Sequence, residues 1–231
     1  MSAATGPVAR DAQGAVAPAG LADPPRPMFR GVLHFITAML APFATVALLL
    51  LADSPRGYVG ASIFGTTLML LYMSSANYHL APWPASLRGL WKRVDHAMIF
   101  VLIAGTYTPL CLVVLNNAWG IPMLAVVWTL AGAGVALKVV NPNAPRWLSV
   151  GLYMGIGWVG VVAATEVVTT LPAAALAMLV AGGALYTIGG VIYARRRPDP
   201  SPRWFGFHEV FHAFVIAGSA AHFALISIYV V

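Results

Sequence analysis

Seven apolar stretches of about 20 residues each divide the chain, at roughly 31–52, 58–80, 94–116, 120–140, 147–167, 172–194 and 206–230. At 1.5 Å per residue each is long enough to cross the ~30 Å hydrocarbon layer of a bilayer, so each is predicted to be a spanning helix. Pro42, Pro109 and Pro122 fall inside or near span ends, where they kink or terminate helices. Gly151 and Gly155, four apart in GLYMG, form a small-xxx-small pair suited to close helix contact. Residues 1–28 show no such stretch. They are rich in Ala, Pro and Gly, carry Arg10, Asp11, Asp23 and Arg26, and contain no apolar core of a signal peptide. They are predicted to be a disordered tail, leaving residues 29–231 as one transmembrane domain.

Composition strengthens this picture. Of 231 residues, 60% are hydrophobic and 9% charged, with a mean hydropathy of +0.81. That excludes an ordinary soluble domain. The single cysteine, Cys111, lies in an apolar run and says nothing about redox compartment. The net charge of +6 is a topology signal rather than a nucleic-acid one, because its distribution alternates. Arg10, Arg26 and Arg30 precede span one; Arg88, Lys92 and Arg93 follow span two; Lys138 and Arg146 flank the fourth connection; Arg195, Arg196, Arg197 and Arg203 lie in the sixth. Only Arg56 falls in another connection. The expected fold is therefore an all-α membrane protein, a seven-transmembrane-helix bundle with its N-terminus cytoplasmic and its C-terminus outside.

Depth then sorts the polar residues. His79 ends span two, and Asp95 opens span three just after Lys92 and Arg93. His208 and His212 are five and nine residues past Arg203, roughly 7 and 13 Å below the basic collar. Four apart, these two imidazoles share one helical face. His79, Asp95, His208 and His212 thus occupy one layer from three helices, a coincidence that hydrophobicity does not require. Three neutral imidazoles and an open fourth position are the pattern of a catalytic Zn²⁺ site, and a nearby carboxylate can hold and deprotonate a water on the metal. A lone His79 would read as an interfacial residue; the histidine pair and the buried acid at matching depth favour a metal. His96 points about 100° away from Asp95 and reads as a structural or interfacial contact. His34, near the start of span one, has no identifiable neighbour. His222, roughly 15 Å deeper than His212, is too far to share the ion and reads as hydrogen-bonded inside the bundle, with Ser219 nearby. Glu166 reads as interfacial. Most tryptophans fall near span ends, as an aromatic belt does.

SSANYH (74–79), VDHAMIFVLIAGTYTP (94–109), WFGFHEVFH (204–212) and GSAAH (218–222), in this order, resemble the haemolysin III family, a group that belongs with the progestin and adipoQ receptors and is distantly similar to alkaline ceramidases. The resemblance spans residues 26–231. It implies seven helices, a cytoplasmic N-terminus and Zn²⁺ on three histidines, which map to His79, His208 and His212. The family's Ser-x-x-x-His motif maps to Ser75 and His79, and its span-three acid to Asp95. One departure is RGVLH (30–34), where many relatives carry an acidic residue and an Asn. Receptor signalling is not carried over, because the long soluble N-terminal region of the eukaryotic receptors is missing.

Three functions remain open. The first is a zinc-dependent hydrolase of lipid amide or ester bonds, or a membrane-lipid homeostasis factor, with Asp95 as general base and Ser75 as hydrogen-bond partner for water or oxyanion. The second is an intramembrane metalloprotease, because HEVFH is literally His-Glu-x-x-His, with Glu209 as base. The third is a non-enzymatic sensor or cytolytic protein whose zinc is structural. The partner in each membrane-lipid reading is a lipid; no nucleic acid and no obligate protein partner are indicated. The expected location is a bacterial cell membrane.

Overall fold

A computed structural model of the protein describes residues 27–231. The expected tail falls outside the described residues apart from Pro27 and Met28. Among the described residues the chain is helical with no strand, only an isolated bridge between Ser201 and Phe205. Seven helices are long and apolar enough to cross a membrane: α1 (Val32–Leu51), α2 (Pro55–Leu80), α3 (Ala85–Val114), α4 (Gly120–Val140), α5 (Arg146–Thr170), α6 (Ala173–Arg195) and α7 (Phe207–Tyr229). This is a multi-pass membrane protein, as the apolar pattern predicts.

Local signals set the ends. Ser54 caps α2, its Oγ accepting from the Gly57 N–H at 3.0 Å, and Pro55 occupies the first helical position, where a missing N–H costs nothing. Two spans are less regular than the apolar pattern suggests. α3 starts at Ala85, nine residues before the apolar run at 94. Its first turns, ASLRGLWKR, are too polar to register as membrane span but continue the same helix, and Trp91 stacks on Trp83 with ring centroids 4.9 Å apart. After Pro109, α3 widens into a π-helical turn over Leu110–Val114, as expected where a residue without an N–H interrupts the ladder. α5 is interrupted by a 3₁₀ segment over Val159–Ala163.

α2 and α3 are the interior helices: 56% and 50% of their apolar windows are buried, against 22% for α1, α5 and α6. α1 packs on both α2 and α7, α6 on α7, and α4 on α3. One core gathers Leu48, Phe64, Leu71, Tyr72, Leu102 and Leu225 from α1, α2, α3 and α7. A second joins Phe100, Cys111, Met123, Val127 and Ile156 from α3, α4 and α5. The glycines that admit close packing are not the pair singled out in GLYMG. A Cβ at Gly151 or Gly155 would meet nothing within 4 Å. At Gly105 it would collide with Thr67, at Gly134 with Phe100, and at Gly218 with Tyr186, so these positions set the spacing of α2–α3, α3–α4 and α6–α7.

Candidate metal centre

α2 delivers His79 in its last turn, and α7 delivers His208 and His212 in its first two turns. One donor atom from each of these three histidines lies within 4.8 Å of the other two. His79 Nε2 and His208 Nε2 are 3.2 Å apart. Two nitrogens at ~2.0–2.1 Å from one tetrahedral zinc would be separated by roughly 3.4 Å, so this spacing fits a shared ion. His212 is 3% exposed, and its Nδ1 is buried without a hydrogen-bond partner. A buried imidazole nitrogen left without a partner is costly unless something else fills that role. Unpartnered buried ring nitrogens also occur at His34 and His222, so it is the grouping and spacing of the His79, His208 and His212 donors that fit a zinc ion.

Asp95 is buried on α3, with Oδ2 3.9 Å from His79 Nε2. Ser75, one turn before His79, is buried and contacts the Asp95 side chain. Its Oγ lies 2.8 Å from His34 Nδ1. His34 therefore does have neighbours. Its ring stacks on His212, centroids 3.7 Å apart and planes 10° apart, and meets Tyr72 edge-on at 4.9 Å. It belongs to the layer of the other histidines without being one of the three grouped donors. Applying the depth rule to span one would have found it, because His34 follows Arg30 by four residues, much as His208 follows Arg203 by five.

Glu209 is held apart from this set. It is 0% exposed; Oε1 lies 2.5 Å from Arg30 Nε, and Oε2 accepts the Gly206 N–H at 2.8 Å, which caps α7. The segment before α1 is fastened to the same corner. Met28 N–H donates to Arg203 O and Phe29 N–H to Trp204 O, at 3.0 and 3.1 Å. Gly31 (φ 84°) passes so close to His79 that a Cβ there would be 2.6 Å from the His79 Cβ, so both backbone angle and space require glycine.

The remaining polar candidates lie elsewhere. His96 is half-buried, and its carbonyl accepts the Tyr153 hydroxyl at 3.1 Å. His222 stacks on Tyr186 and fills the space left by Gly182. Ser219 is taken by the hydroxyls of Tyr72 and Tyr186, each at 2.8 Å, rather than by His222. Glu166 accepts from Asn117 Nδ2 at 3.1 Å on the exposed opposite end.

A cavity of about 630 Å³ opens beside the histidines and is lined by Ser75, Asp95, His208 and His212 together with apolar residues of α3, α5, α6 and α7. Trp158, Val161, Val168 and Val180 line it and are also exposed on the apolar outer surface of α5 and α6. The cavity is thus bordered by the side of the bundle that faces the acyl layer. The sequence pattern does not announce this space, because the apolar part of its lining reads like the lipid-facing surface.

A sequence profile described as "Haemolysin-III related" matches residues 23–223. The chain belongs to the haemolysin III family. It is 33% identical over 203 residues to the hemolysin-3 homolog of Bacillus subtilis, covering 87% of this chain and 92% of that protein. It is 31% identical over 202 residues to hemolysin-3 of Bacillus cereus, covering 86% and 89%. It is also 27% identical over 187 residues to the adiponectin receptor protein of Drosophila melanogaster, covering 73% of this chain but 41% of the receptor. These matches and the seven apolar helices agree with a multi-pass protein of a bacterial cell membrane.

Proposed function

We propose that this haemolysin III protein is a zinc-dependent membrane hydrolase that cleaves an amide or ester bond of a lipid. The observation that carries the reading is the grouping of the His79, His208 and His212 donors within 4.8 Å, with the Asp95 carboxylate 3.9 Å from His79, at the wall of an apolar cavity. The three histidines would hold the ion. When bound, Zn²⁺ supplies Lewis acidity toward a carbonyl oxygen and lowers the pKa of a water toward about 7.

The protein's own groups do the rest. Asp95 accepts the proton of the attacking water as its oxygen bonds to the carbonyl carbon, and returns a proton to the leaving nitrogen or oxygen as the C–N or C–O bond breaks. Ser75 holds Asp95 in place, and His34 in turn fixes the Ser75 hydroxyl. The cavity excludes water and accepts the acyl chain, which enters from the acyl layer past Trp158 and Val161. The metalloprotease reading asks Glu209 to be the base, yet both its oxygens are engaged, by Arg30 and by the Gly206 N–H.

The test compares Asp95→Asn with wild type for bound zinc, folding and turnover of a panel of lipid amides and esters followed by mass spectrometry. Asp95→Asn should keep its zinc and fold and lose about 10²-fold or more in turnover. An active Asp95→Asn beside an inactive Glu209→Gln would move the base to Glu209. If both variants turn over normally while histidine variants merely misfold, the zinc is structural and the hydrolase reading falls.

A further inference from the structure

At the basic end of the bundle the same cavity is bordered by three cations from three different helices, Lys92 of α3, Lys138 of α4 and Arg146 of α5, and by the exposed Arg196 just past α6. Among the described residues the ion pairs are Arg30–Glu209 and His79–Asp95, so none of these three cations faces a carboxylate within 4.0 Å. The positive-inside rule does not account for them all. Arg93, Arg195 and Arg197 are exposed and serve that purpose where they stand, whereas Lys138 is 3% exposed. Burying an ammonium without a counter-charge is unfavourable, and a buried ionisable group in a spanning helix ordinarily marks a function. Lys138 Nζ donates to Ser149 Oγ, which uses one of its three donors. Arg146 lies over the rings of Tyr193 and Phe207, 4.7 and 5.7 Å from their centroids, and donates Nη1 to the Tyr193 carbonyl at 3.3 Å. These contacts, with a further one to the Tyr193 side chain, hold the guanidinium in place and leave some of its five N–H groups for another acceptor.

We infer that Lys92, Lys138 and Arg146 form the seat of a phosphate group, the headgroup of an amphiphile whose chain lies in the cavity. Three cations lining one end of a cavity suit a phosphate monoester, which carries up to two charges and three acceptor oxygens. The seat adjoins the metal centre: the Tyr193 ring that carries Arg146 on one side meets His208 edge-on, with centroids 5.6 Å apart. Beyond the cations the lining turns apolar, with Ile99, Ile103, Leu179 and Val215. The lipid part of this inference rests on the reading of the cavity as a lipid site; the phosphate seat itself does not.

The test measures binding to the full-length protein, purified in an uncharged detergent, of four probes: a monoacylglycerol phosphate, the neutral monoacylglycerol of the same chain, a fatty acid of the same chain length, and inorganic phosphate. The phosphate lipid should bind about tenfold or more tightly than its neutral counterpart, and the preference should weaken with added salt. Lys138→Met, and independently Arg146→Gln and the less buried Lys92→Gln, should each remove most of that preference while leaving the neutral lipid's affinity unchanged. Equal affinity for the two lipids, or equal binding of a fatty acid of the same chain length, overturns the phosphate seat and leaves the lipid cavity standing. Binding of inorganic phosphate alone, lost in the same variants, keeps the seat and refutes its lipid occupant. No binding of any probe refutes both.

Discussion

Glu209→Gln separates a structural from a catalytic glutamate. In wild type the carboxylate is fully buried, 2.5 Å from Arg30 Nε, and caps α7 through the Gly206 N–H. The amide keeps a carbonyl oxygen for the cap but loses the charge. Removing one partner of a fully buried ion pair costs about 3–5 kcal/mol. The Arg30 side chain is 20% exposed and can partly rehydrate, which reduces that to roughly 2 kcal/mol. Loss of a negative charge in the first turn of α7 adds about 0.5 kcal/mol. The sum, roughly 2–3 kcal/mol, corresponds to a drop of about 4–12 °C in Tm for a chain of this length. Thermal unfolding in detergent reads this shift. The double variant with Arg30→Gln should cost clearly less than the two single variants together, a coupling of at least ~1 kcal/mol. Bound zinc and turnover of the folded protein should be close to wild type. A variant that melts with wild type yet has lost all turnover would refute the reasoning and make Glu209 the base.

Other measurements follow from the same geometry. One zinc per chain is expected by metal analysis, with His79→Ala, His208→Ala and His212→Ala each losing most of it. His34→Ala and His222→Ala should retain the ion, His34→Ala with lower stability because it removes the ring stacked on His212 and the Ser75 hydrogen bond; full occupancy in His79→Ala would break the three-histidine assignment. Reporter fusions after Arg56, Asn117 and Val231 should report the outside and those after Lys92 and Arg197 the cytoplasm; an inside signal at Val231 would overturn the orientation. Tyr107→Phe should lower stability by ~1–3 kcal/mol without releasing zinc, because the Tyr107 hydroxyl donates to Gly157 O at 2.7 Å and accepts from Gly160 N at 2.8 Å across the break in α5; a Tm unchanged from wild type would show that the break needs no such clamp.

The seven spans were legible because a bilayer imposes a length and a polarity on every crossing helix. The layer of His79, Asp95, His208 and His212 was legible for a related reason: basic residues mark one membrane face, and depth can be counted from them. What stayed hidden depends on packing. His34 stands on the same layer, but its stacking on His212 comes from α1 lying against α7, which no single-chain periodicity encodes. The early start of α3 was missed because residues 85–93 are helical without being apolar. The break in α5 lies within a continuous apolar run, where the hydrophobic pattern cannot tell 3₁₀ from α geometry. Arg30 and Glu209 are 179 positions apart in sequence, so only the folded corner reveals that each is the other's counter-charge.

The distribution of rigidity follows the chemistry proposed for the site. Ser75, His79 and Asp95 stand on α2 and α3, the two most buried helices, and His208 and His212 stand on the capped first turns of α7. The strap over Met28–Gly31 pins the corner where α7 begins, and Gly31 lets the backbone pass directly over His79. Donor positions that must agree to a few tenths of an ångström are thus carried by the most constrained part of the bundle. α4, α5 and α6 carry none of these groups, line the cavity with mostly apolar side chains apart from cations such as Lys138 and Arg146, and among the described residues include a span broken by a 3₁₀ segment. A hydrolase of lipid bonds needs both properties: fixed groups at the scissile bond, and a wall that can admit and release a chain of variable shape. Because the two are divided between different helices, a substitution on the α5–α6 wall should alter which lipid is bound, whereas loss of His79 on α2, or of His208 or His212 on α7, should alter whether zinc is held at all.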